Sequence, residues 1–299
     1  MNTDISVKKE IRIGIVAYPT HRSQISYVMT RVMNWISESS NDILHITPVI
    51  IPHNIDDIVL TDTLRSIHGI IIPGSISSNT ATINPSDISN SELLQMIRTI
   101  WDYTIAEKLP ILTICLGTLL LYRILYPDCD YDNTTETISW DDIAGHSIRQ
   151  HRHIWSIPVD ITANSDIHIY DTYTIDSTTY MSSAEMKEYP VKMLMWHPEM
   201  SSDSNERLQF VSQCIQYRDY RKNLPNESRN SVSDNIATCM VTEMGSWKTK
   251  TYNSKRNQEE WIHYTLYTYP IENINELYQS ILATKRPIRG QYGTSSEYP

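Results

Sequence analysis

Between residues 11 and 126, short runs of apolar, β-branched side chains alternate with longer stretches in which apolar residues recur every three or four positions. The first pattern has the length of a buried strand, the second the period of an amphipathic helix. Strands are predicted over Ile11–Ala17, Ile43–Ile51 and His68–Pro73, and helices over Gln24–Ser37 and Asp57–Ile67. In the first helix Tyr27, Val28, Val32, Trp35 and Ile36 mark the buried face. A longer helix over Ser89–Glu107 opens with Ser89-Asn-Ser-Glu92, a capping-box pattern. It is followed by the apolar run Leu109-Pro-Ile-Leu-Thr-Ile-Cys-Leu-Gly117 and a helix over Leu116–Tyr126. This alternation predicts an α/β fold with a doubly wound parallel sheet, whose sites lie at the carboxyl ends of strands.

Beyond Pro127 the apolar runs shorten. Strand-like pieces are predicted at roughly Ile154–Thr162, Ile167–Ile175, Thr179–Ser183 and Val191–Trp196, extending the same sheet. Ser204–Asn223 reads as a helix closing the core, with Cys214 on its inner face beside Phe210 and Val211. The stretch from Leu224 to Gln258 is polar and rich in Asn and Ser, the composition of a mobile insertion. Glu260–Tyr269 returns as a strand, and residues 286–299 have little to bury and are expected as a flexible tail. The expected organisation is a single domain over residues 1–285, three layers around a mostly parallel sheet, with a C-terminal strand extension.

Composition narrows the function. With 299 residues and 40% hydrophobic content the chain can fill such a core. A net charge of −10 leaves no basic stripe to meet a phosphate backbone, so no nucleic-acid partner is expected. No apolar run reaches membrane-spanning length, and the polar start of the chain lacks a secretory signal, so the cytosol is expected and a membrane is not. Cys115, Cys129, Cys214 and Cys239 are widely spaced, which suits a reducing compartment or one functional thiol.

Two segments carry chemistry. Cys115 ends a buried strand that turns into a helix, a geometry that lifts a nucleophile to the sheet edge beside a helix amino terminus. Met195-Trp-His-Pro-Glu199 supplies a base and its orienter. His197 and Glu199 are two apart, so in an extended segment both project to one face, where the carboxylate can hold the imidazole that deprotonates the thiol. His146, His151 and His153 are interleaved with Arg149 and Arg152, which argues against a cation site and for an exposed polar loop. That loop could instead meet an anionic substrate. Asp141-Asp142 has no acid-base partner in sequence and reads as a solvated loop.

These residues resemble the class I glutamine-amidotransferase-like hydrolases, and within them the γ-glutamyl hydrolases that trim poly-γ-glutamate from folates. Ser66-Ile-His-Gly-Ile-Ile-Ile-Pro-Gly74 resembles the strand leading to the family's oxyanion turn, Cys115-Leu-Gly117 its nucleophile elbow, and Tyr189-Pro-Val to Trp196-His-Pro-Glu199 its terminal triad segment. Thr162-Ala-Asn164 with His168, and the late strand after a polar insertion, resemble the γ-glutamyl hydrolase branch. The resemblance implies a flavodoxin-like fold and an omega peptidase with a Cys115–His197–Glu199 triad. It also implies oxyanion donors at Leu116 and at Ser75 beside Gly74, and His168 in the substrate cleft. It implies a small γ-glutamyl substrate, neither metal nor cofactor, and allows a homodimer.

The chain departs from the pattern at four places. Thr113 and Ser75 stand where the family usually has glycine, Leu119 where relatives often carry glutamate, and Met193-Leu-Met195 where they have Gly-x-Gln. All flank the site while the three chemical residues persist. Hydrolysis of γ-glutamyl bonds is therefore the first expectation. Another γ-glutamyl amide, or a decayed relative kept for binding, is the alternative.

Overall fold

Five short apolar runs form the middle of the molecule, because successive residues of a buried parallel strand enter opposite cores. A computed structural model describes residues 8–19, 25–75, 92–127, 132–144, 147–159, 166–201, 204–223, 251–256 and 260–268. Strands β1 (Lys9–Val16), β4 (Leu44–Ile51), β5 (Gly69–Ile72), β6 (Ile111–Ile114) and β11 (Val191–Leu194) run parallel. The antiparallel strands β10 (Thr178–Met186) and β9 (Ile167–Ile175) extend them to the order β4-β1-β5-β6-β11-β10-β9. On one face α1 (Thr30–Ser37) and α5 (Asn205–Lys222) cover Ile11, Ile13, Ile71 and Leu112. On the other, α2 (Asp57–Ser66), α3 (Glu92–Glu107) and α4 (Leu116–Leu125) cover Ile70, Ile72, Ile111 and Met193. The expected three-layer α/β architecture is therefore present. Helix α2 starts where it does because the Asp56 carboxylate accepts from the N–H groups of Ile58 at 2.9 Å and Val59 at 3.4 Å.

Three segments differ from expectation. The helix predicted over Gln24–Ser37 begins only at Thr30, and Ile25–Met29 is strand β3. It pairs antiparallel with β2 (Tyr18–Pro19) and with β13 (Glu260–Thr268), and β12 (Thr251–Arg256) completes a second sheet in the order β12-β13-β3-β2. Its apolar spacing suits a helix locally, but the ladder offered by β13 satisfies its backbone instead.

The loop predicted around His146–His153 falls largely in a hairpin of β7 (Asp132–Ala144) and β8 (Ser147–Ser156). Asp141 and Asp142 lie on β7 opposite Gln150 and Arg149, and His151 and His153, two apart on β8, are both buried. Within the predicted insertion Leu224–Gln258, residues 251–256 form β12. The rest of that insertion, Ser89, Thr162-Ala-Asn164 and the tail 286–299 lie outside the described residues.

Strands β5, β6 and β11 are neighbours. The loops leaving their carboxyl ends carry Gly74, Cys115 and His197, so the sheet order itself brings these residues together.

Candidate active site

β6 ends at Ile114 and α4 starts at Leu116, which leaves Cys115 alone to make the turn. Its backbone adopts φ 50° and ψ −110°. Such a conformation costs a non-glycine residue on the order of 1–3 kcal/mol and persists only where its surroundings enforce it. Here Cys115 N–H donates to Leu194 O at 2.7 Å, and Cys115 O accepts from Thr118 at 3.0 Å and Leu119 at 3.2 Å. Gly117 is required by close approach: a Cβ there would stand 2.0 Å from Ile72 O, whereas its N–H reaches Pro73 O at 3.2 Å. Thr113 is accommodated by a polar clasp. The Thr118 hydroxyl donates to Leu194 O at 2.8 Å, so it accepts from Thr113 Oγ1 at 2.9 Å, tying β6, α4 and β11 together. Leu119 and Met195 are buried in the adjoining core.

His197 is held differently. From β11 the chain passes through Trp196, whose Nε1–H donates to Ser183 Oγ at 2.9 Å, to His197. Pro198 then opens a single 3₁₀ turn, Pro198–Met200, that folds Glu199 back onto His197. The segment is thus a turn and not the extended piece expected from the two-residue spacing, because proline pre-sets the φ of a first helical position. His197 Nδ1–H donates to Glu199 Oε1 at 2.8 Å. With Nδ1 engaged, Nε2 is left for the thiol, and a side-chain hydrogen bond joins His197 to Cys115. His197 and Glu199 are 2% and 6% exposed. Burial alone would lower the imidazole pKa; the Glu199 carboxylate and the Cys115 sulfur more than reverse this and raise it to about 10.

Gly74 abuts both partners, since a Cβ on it would lie 2.7 Å from His197 Cε1 and 3.3 Å from Cys115 Cβ. Ser75 is not among the residues of positive φ, so the loss of the family's second glycine imposes no forbidden backbone there. Its hydroxyl is hydrogen-bonded to Tyr27 OH, and Tyr18 OH donates to Pro73 O at 2.5 Å. Leu116 is the first residue of α4, so its N–H has no acceptor within the helix.

Strand β8 packs against the 3₁₀ turn and brings a pair of further histidines. His153 Nδ1–H donates to Trp155 O at 3.0 Å, so His153 Nε2 accepts from His151 Nδ1–H at 3.3 Å. Both rings pack on Tyr173 of β9, with centroids 5.2 Å and 5.9 Å away. Burial first, and the charge of His197 second, lower the His153 pKa to about 3. His168 is exposed on the outer strand β9, across the ladder from Glu185. Tyr18, Tyr27, His151, His153 and Tyr173 are not marked as site residues by any motif in the sequence. Only the His-x-His spacing on β8 carries a sequence signal, an inward face of period two. Cys214 is in the core as expected, with its thiol pKa pushed up by burial. Among the described residues no group of three or more His, Cys, Asp or Glu could hold a metal ion, and no helix is long and apolar enough to cross a membrane.

Comparison with known proteins bears on this arrangement. Residues 6–125 match the model of the Peptidase C26 family. The chain is 20% identical to γ-glutamyl hydrolase B of Dictyostelium discoideum, over an alignment of 299 residues covering 85% of this chain and 76% of the relative. Among solved structures, a Thermoplasma acidophilum protein described as part of a GMP synthase has 15% identity and a TM-score of 0.48, covering 71% of this chain and 98% of the other. The glutaminase domain of Trypanosoma brucei CTPS with bound acivicin has 10% identity and a TM-score of 0.48, covering 69% and 94%. The resemblance expected from the motifs is thus found. The family model and the curated relative support a hydrolase of the γ-glutamyl hydrolase kind.

Proposed function

We propose, with the Peptidase C26 match as premise, that this chain hydrolyses γ-glutamyl amide bonds, with folylpoly-γ-glutamates as the substrate class, through Cys115, His197 and Glu199. One observation carries the reading: His197 is hydrogen-bonded on one side to Glu199 at 2.8 Å and on the other to the sulfur of a strained elbow residue. That is the arrangement a nucleophile, base and orienter require.

In the reaction the Cys115 sulfur attacks the γ-carbonyl carbon and its proton resides on His197 Nε2. The oxyanion that develops is met by the N–H groups of Leu116 and of Ser75, beside Gly74. The C–N bond breaks, the departing amine takes the proton from His197, and a thioester remains on Cys115. Water then gives a proton to His197 and attacks the thioester carbon; the C–S bond breaks, the γ-carboxylate leaves, and the thiol is restored. Glu199 keeps Nδ1–H in place throughout and stabilises the imidazolium. His168, exposed on β9, is assigned to the substrate cleft as the resemblance implies.

Mass spectrometry of a folate pentaglutamate incubated with the protein, and with Cys115→Ala in parallel, tests this. Successive loss of glutamates with the intact thiol alone supports the proposal. No turnover by either protein between about pH 4.5 and 8, a span that crosses the ordinary imidazole pKa, would transfer the mechanism to another amide or end it.

A further inference from the structure

We propose that Tyr27 is a positioning residue for the oxyanion turn: its hydroxyl holds Ser75, the residue standing in place of a glycine, and so couples the small second sheet to acyl transfer at Cys115. The inference rests on the reading of Cys115 as an acyl-accepting nucleophile.

Ser26 and Tyr27 are consecutive on β3 and therefore project to opposite sides of the strand. Ser26 Oγ is bonded to His53 Nδ1 at 2.7 Å, just beyond β4, and Tyr27 OH is bonded to Ser75, just beyond β5. Both are buried, at 0% and 2% exposure. Two adjacent side chains thus anchor β3 over the carboxyl edge of the main sheet. The turn after β5 is held at a second point, where Pro73 O accepts from both Tyr18 OH and Gly117 N–H. Pro73 is thereby tied to the first turn of α4, Gly74 is packed on His197 and Cys115, and Ser75 is tied to Tyr27. A glycine at position 75 would offer β3 nothing to grip. The serine hydroxyl supplies that handle, and the backbone N–H it orients is the one assigned to the oxyanion. In the ladder Tyr27 lies opposite Leu266 of β13, so the late strand backs the same contact.

The test separates oxyanion formation from thiol reactivity. With p-nitrophenyl acetate, the Cys115 sulfur attacks the ester carbonyl, the C–O bond breaks, p-nitrophenolate leaves and a thioester forms through a tetrahedral oxyanion. With iodoacetamide the same sulfur displaces iodide at a saturated carbon and no oxyanion forms. Both rates are measured on the full chain, with Cys115→Ala subtracting reaction at other groups. Losing a whole oxyanion donor costs about 10²–10³ in rate, so Tyr27→Phe, which only misaligns one, should slow acylation about tenfold. Alkylation should stay within about twofold. Ser75→Ala removes the same bond from the other side and should give the same split, and on a Ser75→Gly background Tyr27→Phe should add little. Unchanged acylation, a parallel fall in both rates, or additive effects in the double variant each overturn the inference. So does a wild-type chain whose Cys115 alkylates but never acylates. If γ-glutamyl substrates are not cleaved while acylation still depends on Tyr27, the substrate assignment fails and the positioning role stands.

Discussion

Cys115 and His197, the proposed nucleophile and base, occupy adjacent strand ends, yet they are held by different forces. Cys115 is fixed by main-chain geometry: a residue of positive φ between β6 and α4, three backbone hydrogen bonds, and a helix that approaches β5 closely because Gly117 has no Cβ. His197 is fixed by side chains, by the Glu199 carboxylate on one side and the Cys115 sulfur on the other, with Gly74 leaving room for its ring. Backbone scaffolding makes the elbow insensitive to the Thr113 replacement and intolerant of bulk at Gly117. Side-chain scaffolding makes the base sensitive to charge.

The largest effect is expected from Gly117→Ala. Its Cβ would fall 2.0 Å from a backbone oxygen that no rotamer can move, so α4 must shift off β5. We expect a loss of on the order of 3–5 kcal/mol, read by urea denaturation, with the elbow lost as well. A variant that melts like the parent would show the elbow to be looser than described.

Glu199→Gln attacks only the base. The isosteric amide keeps the shape but no longer favours Nδ1–H or the imidazolium, and should lower kcat by about 10³–10⁴ and also lower the unfolding midpoint at neutral pH, where most of the linked stabilisation is still present. The His197 pKa should fall from about 10, followed by imidazole NMR. Because this pKa is raised on folding, its stabilising contribution is complete below the ordinary value of about 6.5 and is lost as pH rises from there through about 10. The parent should therefore lose more stability than Glu199→Gln between those limits.

Gly74→Ala sharpens the comparison. Its Cβ would sit 2.7 Å from His197 Cε1, so the ring must yield while the elbow backbone need not. Turnover should fall about 10–100-fold, as expected for a displaced base, and iodoacetamide should still label Cys115. The smallest effect belongs to Thr113→Val. It leaves the Thr118 bond to Leu194 O intact and removes the Thr113 hydroxyl's contacts with Thr118 Oγ1 and Lys192 O, for about 1 kcal/mol in thermal unfolding.

What could be read from sequence follows the same division. The parallel strands and the elbow were legible because their signals are local: Gly-Ile-Ile-Ile and Ile-Leu-Thr-Ile are strand-length apolar runs bounded by Pro and by Cys-Leu-Gly. Strand β3 was not, because Ile25-Ser-Tyr-Val-Met29 becomes a strand through pairing with distant residues, 264–268 on one side and Tyr18–Pro19 on the other. The β8 histidines were legible only as a shared face, because the His-x-His spacing sets them on one side of a strand while a polar, arginine-bearing segment gives no sign that this side is buried. His168 follows a family-like tripeptide, but its strand is the outermost of the sheet and presents it to solvent.

The bond from Cys115 N–H to Leu194 O has a consequence in time. A growing polypeptide that has produced the cysteine has not yet produced β11, which supplies that acceptor and, just beyond it, His197 and Glu199. At ribosomal speeds of about 5–20 residues per second, the interval is several seconds. Through it Cys115 lacks the tether that holds its strained turn, so the nascent chain carries no assembled nucleophile. In the proposed reading the site is complete only after one short strand has inserted between β6 and β10, so the order of synthesis is a safeguard for everything nearby.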